Sequence, residues 1–422
     1  MPLNKPKIGY RYYPDTDHYT RQDLDIWLPE LSSLQADVLV LTGSSSFAIP
    51  EHFLVGLMQA GIQPLIHIPQ SLSLLDSTTI EPILQAYANW GVSEIFVGSP
   101  PNARASWMGP DWTRADLIER FLDRMIPVLE TELRLGLTPL LPPLVQGGDY
   151  WDTAFLRAVL EGLQRRAHPG ILQALGIGLH AYTFGKPLSW GAGGPSSWPE
   201  SIAYITPEGS EDQCGFHSMD WYSEISFHTL GRSCSMYVLA GGYTHATDKD
   251  GFSSESQSRE NAAVMQTLLT DDLPHLECFA FDHLVSMPAH SDHDSAWYDL
   301  AGAARPVVEA VQSVRSKAPK STCDESPPRS IINHIVYLPD ESASERSALL
   351  QEAAPFLAIA QPVITFDLSA VGPFQRATVL SHQPASSNLQ SQLKDCGADV
   401  TFFNQKTIPA LNAAANASQT GR

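Results

Sequence analysis

Eight short apolar strands, each trailed by a stretch of helical spacing, predict an α/β chain built as a closed (β/α)8 TIM barrel with a small α/β domain behind it. Three observations carry that prediction. Strand starts recur near residues 8, 37, 63, 94, 138, 175, 235 and 278. Polar, aromatic-bearing loops follow nearly every strand, where an open sheet would concentrate them at one crevice. The apolar rhythm then breaks over residues 312–330, QSVRSKAPKSTCDESPPRS, as a linker would. A chain of 422 residues has room for a barrel of roughly 300 residues and an appendage. The rival, an open doubly wound sheet, lacks a GxGxxG at the first strand-to-helix turn. GAGGP at 191–195 follows a loop tryptophan and reads as turn chemistry.

In chain order, Ile8 to Tyr13 is an aromatic strand closed by Pro14 and Asp15. A helix follows over 23–34, with Leu24, Trp27, Leu28 and Leu31 at helical spacing. DVLVLT (37–42) is strand two, and a helix from about Pro50 leads to PLIHI (64–68), strand three. A helix at 79–89 precedes strand four at 94–97, and a helix at 114–134 precedes TPLLPPL, strand five. Prolines 139, 142 and 143 argue against an ordinary central strand there. A helix at 152–165 leads to strand six at 175–180; strand seven is 236–239 and strand eight 278–281. The expected division is a barrel over 1–311, a linker over 312–330 and a small α/β domain over 331–422. That domain has strands at 331–339, 362–368 and 400–403, helices at 343–358 and near 389–393, and a frayed tail.

The formal charge of -20, with 26 Lys and Arg, argues against nucleic acid or an anionic membrane as partner. The N-terminus MPLNKPKIGYRYYPD has no signal-like apolar core, and no apolar run approaches a span, so a cytoplasmic protein without a membrane partner is expected. Five dispersed cysteines without a CxxC pair fit a reducing compartment, with one disulfide left open. No cofactor motif is present, and none is expected.

Barrel sites lie at the carboxyl ends of the strands. There the sequence supplies Tyr10 and Arg11, His67, Asn102 and Trp107, Trp151, His180 and Tyr182, Trp190, and Tyr243 as candidate substrate-binding residues. Asp149 and Asp282 are the candidate catalytic carboxylates. Aromatic planes beside hydrogen-bonding groups suit a carbohydrate ring, whose C–H faces stack while its hydroxyls pair. Trp198, Trp221 and Trp297 fall in or near the same loops, against the plainer reading that such rings anchor loops.

His180-Ala181-Tyr182 resembles the His-x-Tyr that follows strand six in the clan of retaining (β/α)8 glycoside hydrolases. AGIQPLIHIP resembles that clan's passage from helix two to strand three, and the order of elements over the first 300 or so residues agrees. The resemblance implies a catalytic Glu at the end of strand four, in Asn-Glu-Pro, and a nucleophilic Glu at the end of strand seven. Those positions fall on Ser99, in Gly98-Ser99-Pro100, and on Ala240, in YVLAGG. Neither residue can serve: retaining hydrolysis uses two carboxyl groups about 5 to 5.5 Å apart. The expectation is a hydrolase-like barrel that keeps an aromatic cleft for carbohydrate binding, or a scaffold role, without the standard chemistry. The alternative is an active hydrolase that takes its acids from Asp149, Asp152 or Asp282. Asp220 and Glu224, four apart on a helix, suit a helix start as well as chemistry. The run from His283 through His290, Asp292, His293 and Asp294 lacks an established ligand spacing, so no metal is expected.

Overall fold

The computed structural model describes residues 5–166, 168–243, 253–288, 293–317, 332–338, 343–360, 363–365, 374–381, 399–404 and 406–413. They fall into two units, Met1–Ala318 and Pro319–Arg422.

The first unit is a near-closed barrel of eight parallel strands: β1 (Lys7–Arg11), β2 (Val38–Thr42), β3 (Gln63–Ile68), β4 (Glu94–Val97), β5 (Leu140–Leu144), β6 (Gly176–Tyr182), β7 (Ser235–Gly242) and β8 (Leu276–Phe281). Their hydrogen-bonded order is β4-β3-β2-β1-β8-β7-β6-β5. The intervening helices are α1 (Arg21–Ser33), α2 (Glu51–Gln59), α3 (Ser77–Asn89), α4 (Leu117–Arg134), α5 (Asp152–Arg165), α6 (Pro169–Ala174), α7 (Gly194–Ser197), α8 (Ser218–Leu230), α9 (Ser254–Thr270) and α10 (Pro306–Lys317). Local chemistry sets several starts. Thr20 caps α1 by accepting from the Asp23 amide while the Asp23 carboxylate accepts from the Thr20 amide, a capping box, and Asp76 caps α3 through the Thr78 amide. On α4, Phe121, Leu122, Met125, Val128 and Leu129 are buried. Each such side chain contributes roughly 1.5–3 kcal/mol by leaving water.

Strand alternation divides the core. Val38, Val40, Leu65, Phe96, Leu140, Tyr237, Leu239, Cys278 and Ala280 fill the barrel interior, while the alternate residues join the helices outside. Two large rings, Phe96 and Tyr237, meet edge to face at 5.6 Å in the middle. β6 makes room for them with glycine: a Cβ on Gly176 would stand 2.9 Å from the Tyr237 ring, and one on Gly178 3.0 Å from that of Phe96.

The seam lies between β4 and β5, and the prolines explain it. Pro142 and Pro143 sit inside β5 with no N–H to donate, so a regular ladder to β4 cannot form. The Thr138 amide still reaches the Ser93 carbonyl at 3.0 Å, and the Leu140 amide donates to the buried Glu132 carboxyl at 3.1 Å. Past the strand, Asn102 acts as a substitute neighbour. Its Oδ1 accepts from the Val145 amide (2.9 Å), and its Nδ2 donates to the carbonyls of Val145 (2.8 Å) and Tyr150 (3.0 Å).

The second unit holds a four-stranded parallel sheet in the order β10-β9-β11-β12. Its strands are β9 (Ile332–Tyr337), β10 (Val363–Thr365), β11 (Phe374–Leu380) and β12 (Asp399–Phe403), with α11 (Ala343–Glu352) and α12 (Ala354–Ala360) between the first two. Two differences from the sequence reading stand out. α10 continues to Lys317, into the stretch expected to be linker, because Val307, Val308 and Val311 give its first turns a buried face. β11 has no counterpart in the sequence reading: FQRATVL places Gln and Arg near its start, yet Ala377, Val379 and Leu380 are buried. The helix expected near 389–393 and residues 414–422 of the tail lie outside the described residues, as do Cys323 and Cys396, whereas 411–413 are helical with Leu411 buried; Cys214, Cys234 and Cys278 are free thiols. No helix among the described residues is long and apolar enough to cross a membrane.

Candidate functional site

One polar cluster stands above the apolar filling at the carboxyl end of the barrel. Arg11 ends β1, His67 lies near the end of β3, His180 and Tyr182 end β6, and Asp282 follows β8. Asp282 is the hub. Its Oδ2 accepts from the Tyr182 hydroxyl at 2.7 Å, its Oδ1 lies 3.5 Å from Arg11 Nη1, and the His283 amide donates to Oδ1 at 3.0 Å. The His283 Nδ1 also comes to 3.0 Å, an approach that depends on His283 holding a left-handed φ of 49°. The fields of Arg11 and Asp282 both act on His180, and those of Arg11 and His180 on His67, so these side chains form one group.

The electrostatics of that group are settled by depth. Burial alone would raise the Asp282 carboxyl, but His283, Arg11 and the Tyr182 hydroxyl outweigh it and hold the group far below the ordinary carboxylate range. Burial first and the Arg11 charge second push His67 down to about 3 and His180 down to about 4, so both imidazoles are neutral at neutral pH. The His67 Nε2 lies 3.1 Å from the Gly98 carbonyl, which can only accept; Nε2 therefore carries the proton and Nδ1 is the acceptor. The cluster thus contains an ionised acid, a cation and, in His67 and His180, two neutral rings.

Ser99 follows β4 directly: Gly98 turns the chain with φ 108°, and the Ser99 amide donates to the Gln70 carbonyl at 2.9 Å. Ala240 pairs with His180 across a bulge that leaves Leu239 without a register partner.

The other candidates are distributed differently. Tyr10 alternates with Arg11 and is therefore outside the wall, packed on Phe281 and Trp297. Asn102 is fully buried at the seam. Trp107 is buried with its indole N–H on the Pro101 carbonyl, and Tyr243 is buried with its amide on Asn261. Trp190 donates to Asp212 at 2.9 Å and lies under the Lys186 ammonium at 4.1 Å. Trp151 packs at a tilt against Tyr204 and lines a separate cavity of about 370 Å³ between α5, α8 and the loop before it, together with Arg157, Gln213 and Trp221. Trp198 and Trp221 place their N–H groups on the Ala192 and Gly191 carbonyls, and Trp297 is buried. The six tryptophans therefore do not form one floor. Large rings with a single donor are efficient anchors for long loops, and most of them serve in that way here.

The remaining carboxylates also find local employment. Asp149 is exposed and accepts from the Arg104 amide at 2.8 Å. Asp220 and Glu224 hold the α7 turn through the amides of Gly193 and Ser196. Among the described residues no three potential ligands gather as a metal would need; His290 and Asp292 lie outside them. Asp152, at the first turn of α5, is fully buried. It accepts from the Gly147 amide (3.0 Å), the Gln213 side chain (2.5 Å) and the Tyr222 hydroxyl (2.8 Å). Sequence reading missed this network because Gln213 and Tyr222 lie some 60 to 70 positions away. Gln146 links it to the mouth, accepting from the Tyr182 amide and donating to the carbonyls of Gln213 and Gly215.

Burial pushes Asp152 up to about 6 despite its three donors. Because its folded value exceeds the ordinary 3.8, the group favours the folded state below about pH 4, and that stability is lost as pH rises through 6. Asp152→Asn, a neutral near-isostere, should therefore gain stability relative to wild type between pH 4 and 7, by about 1–3 kcal/mol. Urea midpoints across that range will show it; a difference independent of pH would mean Asp152 is not the group that titrates.

No family profile and no curated protein matches the chain. Solved structures similar to it include a family 128 (subgroup II) endo-β-1,3-glucanase from Sorangium cellulosum, at 14% identity and TM-score 0.46, covering 75% of this chain and 99% of that one. A GH5_18 protein from Streptomyces cattleya in complex with GlcNAc is similar at 12% identity and TM-score 0.49, covering 95% of this chain and 99% of that one. D-psicose 3-epimerase with D-tagatose from Clostridium cellulolyticum H10 is similar at 12% and 0.41, covering 74% and 97%. This is a distant, low-identity likeness among barrels and decides nothing about chemistry.

Proposed function

We propose that the barrel mouth binds carbohydrate and does not carry out standard glycoside hydrolysis. The observation that carries this reading is Asp282: among the described residues it is the one carboxylate in the cluster, and it is held ionised by Arg11, Tyr182 and His283. Retaining and inverting hydrolysis both need a second carboxyl group, and one of the two must donate a proton to the leaving oxygen. Ser99 and Ala240 cannot supply either part. Support for a sugar comes from the half-buried Tyr182 ring, flanked by His180 at 5.7 Å and Phe184 at 6.0 Å, beside the neutral imidazoles. The small second domain fits a packing or assembly role.

The test is a panel of aryl glycosides assayed with wild type, Asp149→Asn and Asp282→Asn, alongside calorimetry with a broad oligosaccharide set. The expected result is binding heat without turnover. Turnover that disappears on one of the replacements would reject the inactive reading in favour of hydrolysis through that carboxylate, and absence of heat with every sugar would reject carbohydrate binding.

A further inference from the structure

We propose that the ligand of the barrel mouth carries a carboxylate, as a uronic acid does, and that Arg11 and His180 receive it. The proposal rests on the carbohydrate reading of the mouth and narrows it to a class of sugar.

The argument is one of depth and unused donors. The Arg11–Asp282 pair balances in charge but not in access: the Arg11 side chain is 26% exposed and that of Asp282 3%. A ligand entering the mouth therefore meets the cation, with the anion beneath it. Both Asp282 oxygens are already taken by Tyr182, the His283 amide and Arg11. Arg11 is barely engaged: only Nη1 reaches Asp282, at a long 3.5 Å, and among the described residues its Nη2 and Nε have no partner. His180 is half-buried, and among the described residues neither of its ring nitrogens makes a hydrogen bond. A neutral imidazole offers one donor and one acceptor, so the accessible polar atoms of Arg11 and His180 are mostly donors and carry one positive charge.

Such a face matches an acceptor-rich anion. A guanidinium whose Nε–Nη2 edge is free receives a carboxylate in a planar, two-point contact that a hydroxyl cannot reproduce, and shielding from bulk water strengthens it. The chain as a whole is at -20, so attraction of an anion here must be local to Arg11.

The experiment is calorimetry of the full chain with glucuronate- and galacturonate-containing di- and trisaccharides, each compared with its own methyl ester, and with neutral cello- and xylo-oligosaccharides. Esterification removes the charge and leaves the ring. The acid form of at least one pair should bind about tenfold more tightly than its ester at low salt, with the gap narrowing as salt rises. Arg11→Gln should bring acid and ester to within about twofold. His180→Ala, which leaves the Arg11–Asp282 pair in place, covers the case in which Arg11→Gln does not fold, and should weaken the acid several-fold more than the ester. Equal binding of acid and ester, or a gap that survives Arg11→Gln, overturns the proposal. Should neutral oligosaccharides bind while the acids gain nothing, the anionic preference fails and the sugar site stands; should no sugar bind in either form, both fail.

Discussion

Asn102→Ala should destabilise the barrel by about 2–4 kcal/mol. The reason is the seam. Pro142 and Pro143 deprive β5 of donors, and beyond them the Asn102 amide satisfies the Val145 N–H and the Tyr150 carbonyl and shares the Val145 carbonyl with the Gly148 amide. Asn102 is fully buried, so truncation leaves the Val145 N–H and the Tyr150 carbonyl without a partner, while the Val145 carbonyl keeps the Gly148 amide at 3.1 Å. Asn102→Asp sharpens the test. It keeps an acceptor for Val145 but turns a carboxylate toward two carbonyl oxygens, so its loss should be greater at pH 8 than at pH 5. Urea unfolding measures both. A loss under about 1 kcal/mol in Asn102→Ala would mean that the seam is held by something else.

Asp282→Ala should remove about 2–4 kcal/mol, because it leaves the Tyr182 hydroxyl and Arg11 without the partner they share. The same residue sets an acid limit. Its folded carboxyl is depressed, so its contribution is fully present above the ordinary value of 3.8 and is lost as pH falls below it. Asp282→Asn should flatten that part of the stability profile, opposite in sign to the effect of Asp152→Asn and in a lower pH window. An unchanged acid limb would place the sensitive carboxylate elsewhere.

Legibility varied with the range of the interaction involved. The eight strands could be read directly: each is a run of four to eight residues whose burial on both faces demands continuous apolar sequence, as in VLVLT and EIFV. Arg11, His67, His180, Tyr182 and Asp282 could be named because strand direction sends the residues at strand ends to one rim. The prolines of β5 were legible as an anomaly, although not as a seam. The tryptophans misled as a group, because a loop anchor and a sugar platform have the same composition, and only the hydrogen-bond partner of each indole separates them.

Sequence alone determined the barrel class and the order of its strands, and it named residues at the strand ends, since periodicity and strand polarity are local properties of the chain. Tertiary structure alone decided which of those residues meet. It put Tyr10 outside the wall and Arg11 within, made Asp282 an ionised hub, spent Asn102 on the seam and buried Asp152 beneath Tyr222. Those outcomes depend on depth and on partners as many as 271 positions apart, and neither burial nor charge pairing at that separation leaves a trace in local spacing.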